Sequence, residues 1–279
     1  MFPPGFWVKT PAMKQSMKRR DFLTTSLAAS ALASMPLAAA ESSAGAKQEY
    51  FELRMYRFAK TGFDHSLLDA YLEKAAIPAL NRQGIKPVGA FTEIEVKDDP
   101  AVYVLIPYAT LESFAAVGAR LKADAEFQRA GAEYLNTPKS KPGFLRIDSW
   151  LLLAFAGMPK INVPVYCREK KPRIFELRTY ESYSEAKAQK KVDMFNAGEV
   201  EIMHEVGLGP IFFGQTLIGP NLPHLIYMTS GENREVHKEH WAGFGNHPLW
   251  KKLLADPQYA DTVSKGIARI LAPTPYSQI

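Results

Sequence analysis

The chain has 279 residues, 47% hydrophobic and 23% charged, with a formal charge of +5 at pH 7. That composition suits one large folded core or two smaller ones and excludes a disordered or low-complexity chain. A single cysteine excludes an intramolecular disulfide framework and any site built from several cysteines.

The first predicted element is an export signal. Lys18, Arg19 and Arg20 precede an uncharged stretch over 22–40 that ends in Ala38-Ala39-Ala40, the small-residue pattern of a signal-peptidase site. Pro36 and the Ser and Thr residues of that stretch make it a poor permanent membrane span. Arg19-Arg20 with Phe22-Leu23 resembles a twin-arginine signal, with Lys18 and Thr24 departing from its usual pattern. The expectation is translation from Met17 or Met13, passage through the twin-arginine translocase as a folded protein, and cleavage after Ala40. The mature chain is then periplasmic or secreted, with no stable membrane span; an ordinary Sec signal is the alternative. Residues 1–40 hold five basic residues and one acidic residue, which leaves 29 against 28 in the body. A nearly neutral body gives no electrostatic reason to expect a nucleic-acid partner.

A first unit is expected over 41–157. Its opening strand, near 49–58, alternates with period two. A helix follows, with Leu68, Tyr71, Leu72, Ala75 and Ala79 on one face, a kink at Pro78 and a stop at Gly84. Strands near 88–96 and 101–107, a helical region from Thr110 and a strand over 144–155 complete it. Residues 158–171, with Pro159, Pro164 and a basic run, read as a linker.

A second unit over 172–279 repeats the order. Its strand over 173–181 leads to a helix with Ser182 and Glu185 as a capping box and Ala188, Val192 and Phe195 on one face, ending at Gly207. Strands near 211–218 and 223–229, a helix from Glu232 and a strand near 267–271 follow. The repetition is visible residue by residue. Phe-Glu-Leu-Arg-Met-Tyr at 51–56 returns as Phe-Glu-Leu-Arg-Thr-Tyr at 175–180, and Gly84-Ile85-Lys86-Pro87-Val88 returns as Gly207-Leu208-Gly209-Pro210-Ile211. The expected fold is α+β: two ferredoxin-like βαββαβ repeats whose bare sheet faces pack together into a pseudo-dimeric barrel.

The duplicated Phe-Glu-Leu-Arg-x-Tyr strand resembles the NIPSNAP family. So do Ile77-Pro78 at a helix end, the segment from Trp241 to Trp250, and the closing Leu271-Ala272-Pro273-Thr274-Pro275-Tyr276-Ser277. The resemblance covers about 49–279. It implies the dimeric α+β barrel fold, shared with cofactor-free monooxygenases and haem-binding enzymes, and it implies no established reaction.

Chemistry is sought first on the opening strands. Their apolar residues are expected to pack on the helices, so that Glu52, Arg54, Tyr56, Glu176, Arg178 and Tyr180 face the barrel interior. One reading is a ligand pocket in which the arginines grip a carboxylate or carbonyl and the tyrosines donate hydrogen bonds. The other is a Glu–Arg network that fixes the register of the two sheets.

His237 and His240 share a helix face, and with His204-Glu205 they suggest a metal or haem ligand set. Exposed or capping histidines are the alternative, and no metal site is assigned; were haem bound, His240 or His237 would be its axial ligand. His247-Pro248 reads as a helix start. His224 alternates with Ile226 and Met228, so it either reaches the barrel face or simply sits at a strand end. Trp241, Phe244 and Trp250 are either an aromatic wall over the pocket or helix packing. Cys167 lies beside Arg168-Glu169-Lys170-Lys171: either those cations lower its pKa, or it is a lone surface or packed thiol.

Ligand-binding candidates are therefore Arg54, Tyr56, Arg178, Tyr180, Glu52, Glu176, His240 and Trp241. Three functions remain open. One is an oxygenase-type enzyme without a required cofactor, and another a periplasmic small-molecule binder. The third is an interaction protein or homo-oligomer with a filled barrel. Cavity volume separates the first two from the third.

Overall fold

The structure, a computed structural model, describes residues 47–96 and 98–279. The expected export signal and its cleavage point lie outside the described residues.

The first repeat opens with β1 (Tyr50–Arg57). Helix α1 (Ser66–Tyr71) continues through a π-helical turn at Leu72–Ala76 into α2 (Ile77–Arg82). Pro78 has no N–H to give the preceding turn and crowds its carbonyl, and the π turn just upstream absorbs that misfit. Gly84, at φ +76°, ends the helix in the left-handed conformation that other residues rarely adopt.

Strands β2 (Gly89–Glu93) and β3 (Ala101–Tyr108) follow. Thr110 then caps α3 (Leu111–Ala123) through a reciprocal box with Ser113. Two short helices, α4 (Ala125–Ala130) and α5 (Ala132–Leu135), lead to β4 (Arg146–Ala154).

The connecting segment carries α6 (Val165–Arg168) and packs Ile161, Val163, Tyr166 and Cys167 against the barrel core.

The second repeat begins with β5 (Ile174–Glu181). Helix α7 (Glu185–Met194) again passes through a π turn, Phe195–Glu199, into α8 (Val200–Glu205). Here Gly198, at φ +147°, lies within the turn, whereas Pro78 follows the turn of the first repeat. The expected cap moves by two residues: Ser184 accepts from the Lys187 N–H, and the Ser182 hydroxyl donates to the Thr262 carbonyl instead. Strands β6 (Phe212–Ile218) and β7 (His224–Gly231) precede α9 (Arg234–Asn246). His247 caps α10 (Pro248–Ala255), as the His-Pro pair suggests, and β8 (Lys265–Pro273) closes the chain's sheet.

The eight strands form one closed antiparallel barrel in the order β1-β3-β2-β8-β5-β7-β6-β4. Each repeat supplies four neighbouring strands in ferredoxin-like order, and the repeats join where β2 meets β8 and β4 meets β6. One chain thus makes both halves, and closure removes the sheet edges. Three apolar clusters result. One fills the barrel with residues of both repeats, including Phe51, Phe91, Phe175 and Phe212. The other two lie between each half-sheet and its own helices.

One barrel end is plugged by the connecting segment and by the buried C-terminal residue Ile279. The end where β1 and β5 finish is hollow, with a cavity of ≈ 660 Å³. No described helix is long and apolar enough to cross a membrane.

Candidate functional site

The alternation of the opening strands is as expected, but their faces are reversed. Phe51 and Leu53 of β1, and Phe175 and Leu177 of β5, point into the barrel and join one core. Tyr56 and Tyr180 pack with the helices instead, and the Glu and Arg of each strand share their face. On that face Glu52 meets the Tyr108 and Ser149 hydroxyls, and Glu176 meets His237 and Trp241, so neither carboxylate is buried without partners. The six polar residues therefore do not meet around one axis; they form two separate sites, one per repeat.

In the first repeat Glu52 is saturated. Arg54 donates to both its oxygens (2.6 and 3.0 Å), and the Tyr108 and Ser149 hydroxyls donate to it at 3.0 Å each. Apolar residues such as Leu72, Leu80 and Val104 fill the adjoining space, leaving ≈ 20 Å³ beside Arg54 and Tyr56. This copy is the structural network.

The second repeat keeps the charges and opens the space. A pocket of ≈ 250 Å³ lies between the β5–β7 sheet and the helices, and it reaches solvent beside the exposed Gly245. Trp241, Phe244 and Trp250 wall it, so these aromatics serve both packing and pocket. The Arg178 guanidinium lies 4.4 Å from the Trp241 ring, a cation–π contact. Arg178 Nη1 pairs with Glu176 at 3.3 Å, while its buried Nε has no partner. The Tyr227 hydroxyl donates to Tyr180 at 2.9 Å, which leaves the Tyr180 proton free for another acceptor. Burial pushes the pKa of both tyrosines up, so both stay protonated donors.

Lys191 and Glu199 are the residues that sequence reasoning missed. They form an ion pair at 2.5 Å on the pocket wall, with side chains 5% and 2% exposed. Burial raises the Glu199 carboxyl above the ordinary carboxylate range, against the opposing pull of Lys191. The equivalent positions in the first repeat, taken at the 123-residue offset between the two π turns, are Leu68 and Ala76.

Glu176 anchors the site from behind. It receives the Trp241 indole N–H and meets His237 Nε2 at 2.9 Å. Burial pushes its carboxyl up, but His237, Arg178 and Trp241 together hold it below the ordinary range. A lowered folded-state pKa gives stability that is complete above the unfolded value and is lost on acidification. Wild-type protein is therefore expected to lose stability more steeply than Glu176→Gln between about pH 5 and pH 3. Denaturant midpoints across that range check it.

His240 does not reach the pocket. It lies half-buried against Gly207, and its Nδ1 has no partner. His237 is engaged by Glu176. Neither histidine is placed to serve as an axial haem ligand in the pocket. Among the described residues no three His, Cys, Asp or Glu side chains cluster to hold a metal ion. Cys167 is buried rather than exposed, and burial pushes its thiol up despite the basic residues beside it.

Comparison with known proteins agrees with this architecture. Residues 175–278, within the second repeat, match the family model described as NIPSNAP. Two solved structures, each described as a "putative monooxygenase", share the barrel fold. The one from Fusobacterium nucleatum is 11% identical with a TM-score of 0.51, covering 82% of this chain and 93% of that one. The one from Lactobacillus acidophilus NCFM is 12% identical with a TM-score of 0.53, covering 81% and 94%. A NIPSNAP-like domain protein from Burkholderia xenovorans is 21% identical over 38% of this chain and 89% of its own, with a TM-score of 0.34. No curated protein matches the chain.

Proposed function

We propose that this chain, whose second repeat matches the NIPSNAP family model, binds a small planar organic molecule with an ionisable oxygen in the pocket between β5–β7 and the helices. One observation carries the reading. The unpartnered Arg178 Nε and the buried Lys191–Glu199 pair lie on the wall of one aromatic pocket, in the repeat where the space is open. The aromatic walls take the ring, while Arg178 and Tyr180 take the oxygen. Glu199, with its raised proton affinity, is placed to accept a proton from the bound molecule.

The enzyme form of this function is oxygenase-type. An electron-rich anion held by Arg178 and Tyr180 is the substrate state that can give electrons to dioxygen. The scaffold alternative requires a filled barrel, and the cavity of ≈ 660 Å³ at one barrel end speaks against it.

1-Naphthol is a suitable probe, being flat, aromatic and weakly acidic. Its affinity, measured by calorimetry, is expected to fall about tenfold or more in Arg178→Met, the loss of one charge-assisted hydrogen bond. Arg54→Met, in the filled copy, is expected to leave it unchanged. Equal loss in both variants, or no binding by wild type, rejects the pocket.

We further propose export by the twin-arginine route on the strength of Arg19-Arg20 and the Ala-rich stretch that follows. Replacing Arg19-Arg20 by Lys-Lys is expected to keep the protein in the cytoplasm, as read by cell fractionation. Continued export would assign the Sec route.

A further inference from the structure

The hollow end of the barrel lies on the other face of the sheet from the helix-layer pocket and carries different chemistry. Its ≈ 660 Å³ cavity has an apolar wall of Leu53, Trp150, Leu177, Ile226 and Ile267, drawn from five strands. Its rim is charged, and three cations line it.

Each of these cations already has a carboxylate partner. Arg57 meets Asp99 at 3.3 Å and Asp148 at 3.6 Å, and Lys60 meets Asp99 at 4.0 Å. Arg269 lies between Glu93 at 3.0 Å and Asp98 at 2.6 Å. Among the described lining residues the carboxylates are in excess: Glu93, Asp98, Asp99, Asp148 and Glu181. Even with Lys265 counted, which stands 3.6 Å from Glu181 with its side chain 62% exposed, the excess remains.

His224 adds a second, independent signal. It is the cross-strand neighbour of Glu181, lines the cavity and is 3% exposed. Its Nδ1 lies 2.9 Å from the Asn221 carbonyl, which can only accept, so Nδ1 carries the proton and Nε2 is a lone-pair acceptor. That buried Nε2 has no partner in the protein. Burial also lowers the His224 pKa, against the opposing effect of the Asn221 bond, so the ring stays neutral.

An anion entering this mouth finds cations that are already paired. A neutral hydrocarbon leaves the net negative charge of the described rim residues and Nε2 unanswered. A donor-rich cation satisfies both.

We propose that the open barrel end is a second ligand site, for an organic cation with an apolar body such as an alkylammonium or arylalkylammonium. Its N–H groups donate to the Glu181 carboxylate and His224 Nε2, and its hydrocarbon lies against Leu177, Ile226, Ile267 and Trp150. This site does not depend on the proposed function of the helix-layer pocket.

Calorimetry on the folded full-length body with n-octylammonium chloride and sodium octanoate tests it, with Glu181→Gln and His224→Phe beside wild type. Octylammonium is expected to bind and octanoate not to bind. Glu181→Gln, at the partly exposed rim, is expected to weaken octylammonium roughly ten- to a hundredfold, and His224→Phe to weaken it as well. Arg178→Met is expected to leave octylammonium binding intact, which keeps the two sites distinguishable. Octanoate binding as tightly as octylammonium, an unchanged affinity in Glu181→Gln, or no octylammonium binding by wild type would each overturn the proposal.

Discussion

Lys191→Met is expected to cost about 3–5 kcal/mol of folding stability, because it leaves the Glu199 carboxylate buried without its counter-charge. The pair is enclosed by Phe195, Tyr180 and Trp250, whose rings lie 4.9, 5.8 and 5.4 Å from Lys191 Nζ, so little water reaches it. Removing one charge from such a place is costly, whereas removing both is not. The double variant Lys191→Met/Glu199→Leu is expected to recover most of the loss, while losing the proton acceptor of the pocket. Urea midpoints for the two single variants and the double variant measure this. A single variant as stable as wild type would mean that the pair is solvated, and the pocket would then lack a group with raised proton affinity.

Phe175→Ala is the second large effect, also about 3–5 kcal/mol. Phe175 is fully buried, and its ring meets Phe91 edge-on at a centroid distance of 4.8 Å. The contact spans the seam at β8, joining β5 of the second repeat to β2 of the first, so the loss includes part of what holds the repeats together. A double-mutant cycle with Phe91→Ala isolates that part. The expected coupling is about 0.5–1.5 kcal/mol. Additive losses would mean that the two rings do not touch, and that the apolar faces of β1 and β5 are not shared in one core.

The fold was legible because the chain repeats itself. The two Phe-Glu-Leu-Arg strands and the Gly84 and Gly207 stops lie at nearly constant separation, and a half-barrel that cannot cover its own sheet predicts its partner. Face assignment was not legible from β1 and β5 alone. Alternation separates Phe51 from Glu52 but does not say which face meets the helices. The information lay in β3 and β7, which are buried at every position. A strand that is buried on both sides shows that both layers exclude water, so the polar set of β1 and β5 must find partners in either one.

The pocket was half legible. Arg178, Tyr180 and Trp241 line it, and Glu176 supports it, but Arg54 and Tyr56 belong to a filled copy. What set the copies apart was the helix. Ala188, Val192 and Phe195 mark the buried stripe of α7, and Lys191 and Glu199 fall on that stripe at helical spacing. Two opposite charges on the apolar face of a helix were the available signal, and the first repeat carries Leu68 and Ala76 in their place. His240 misled because helical spacing put it on a face with His237, while the turn at Gly207 occupies the space in front of it.

A crystal of the folded body soaked with 1-naphthol tests the central claim most directly. The account predicts the ring between Trp241 and Trp250, with its oxygen within hydrogen-bonding distance of Arg178 or Tyr180. Density for the ring in the barrel interior, or beside Arg54 in the first repeat, would contradict it.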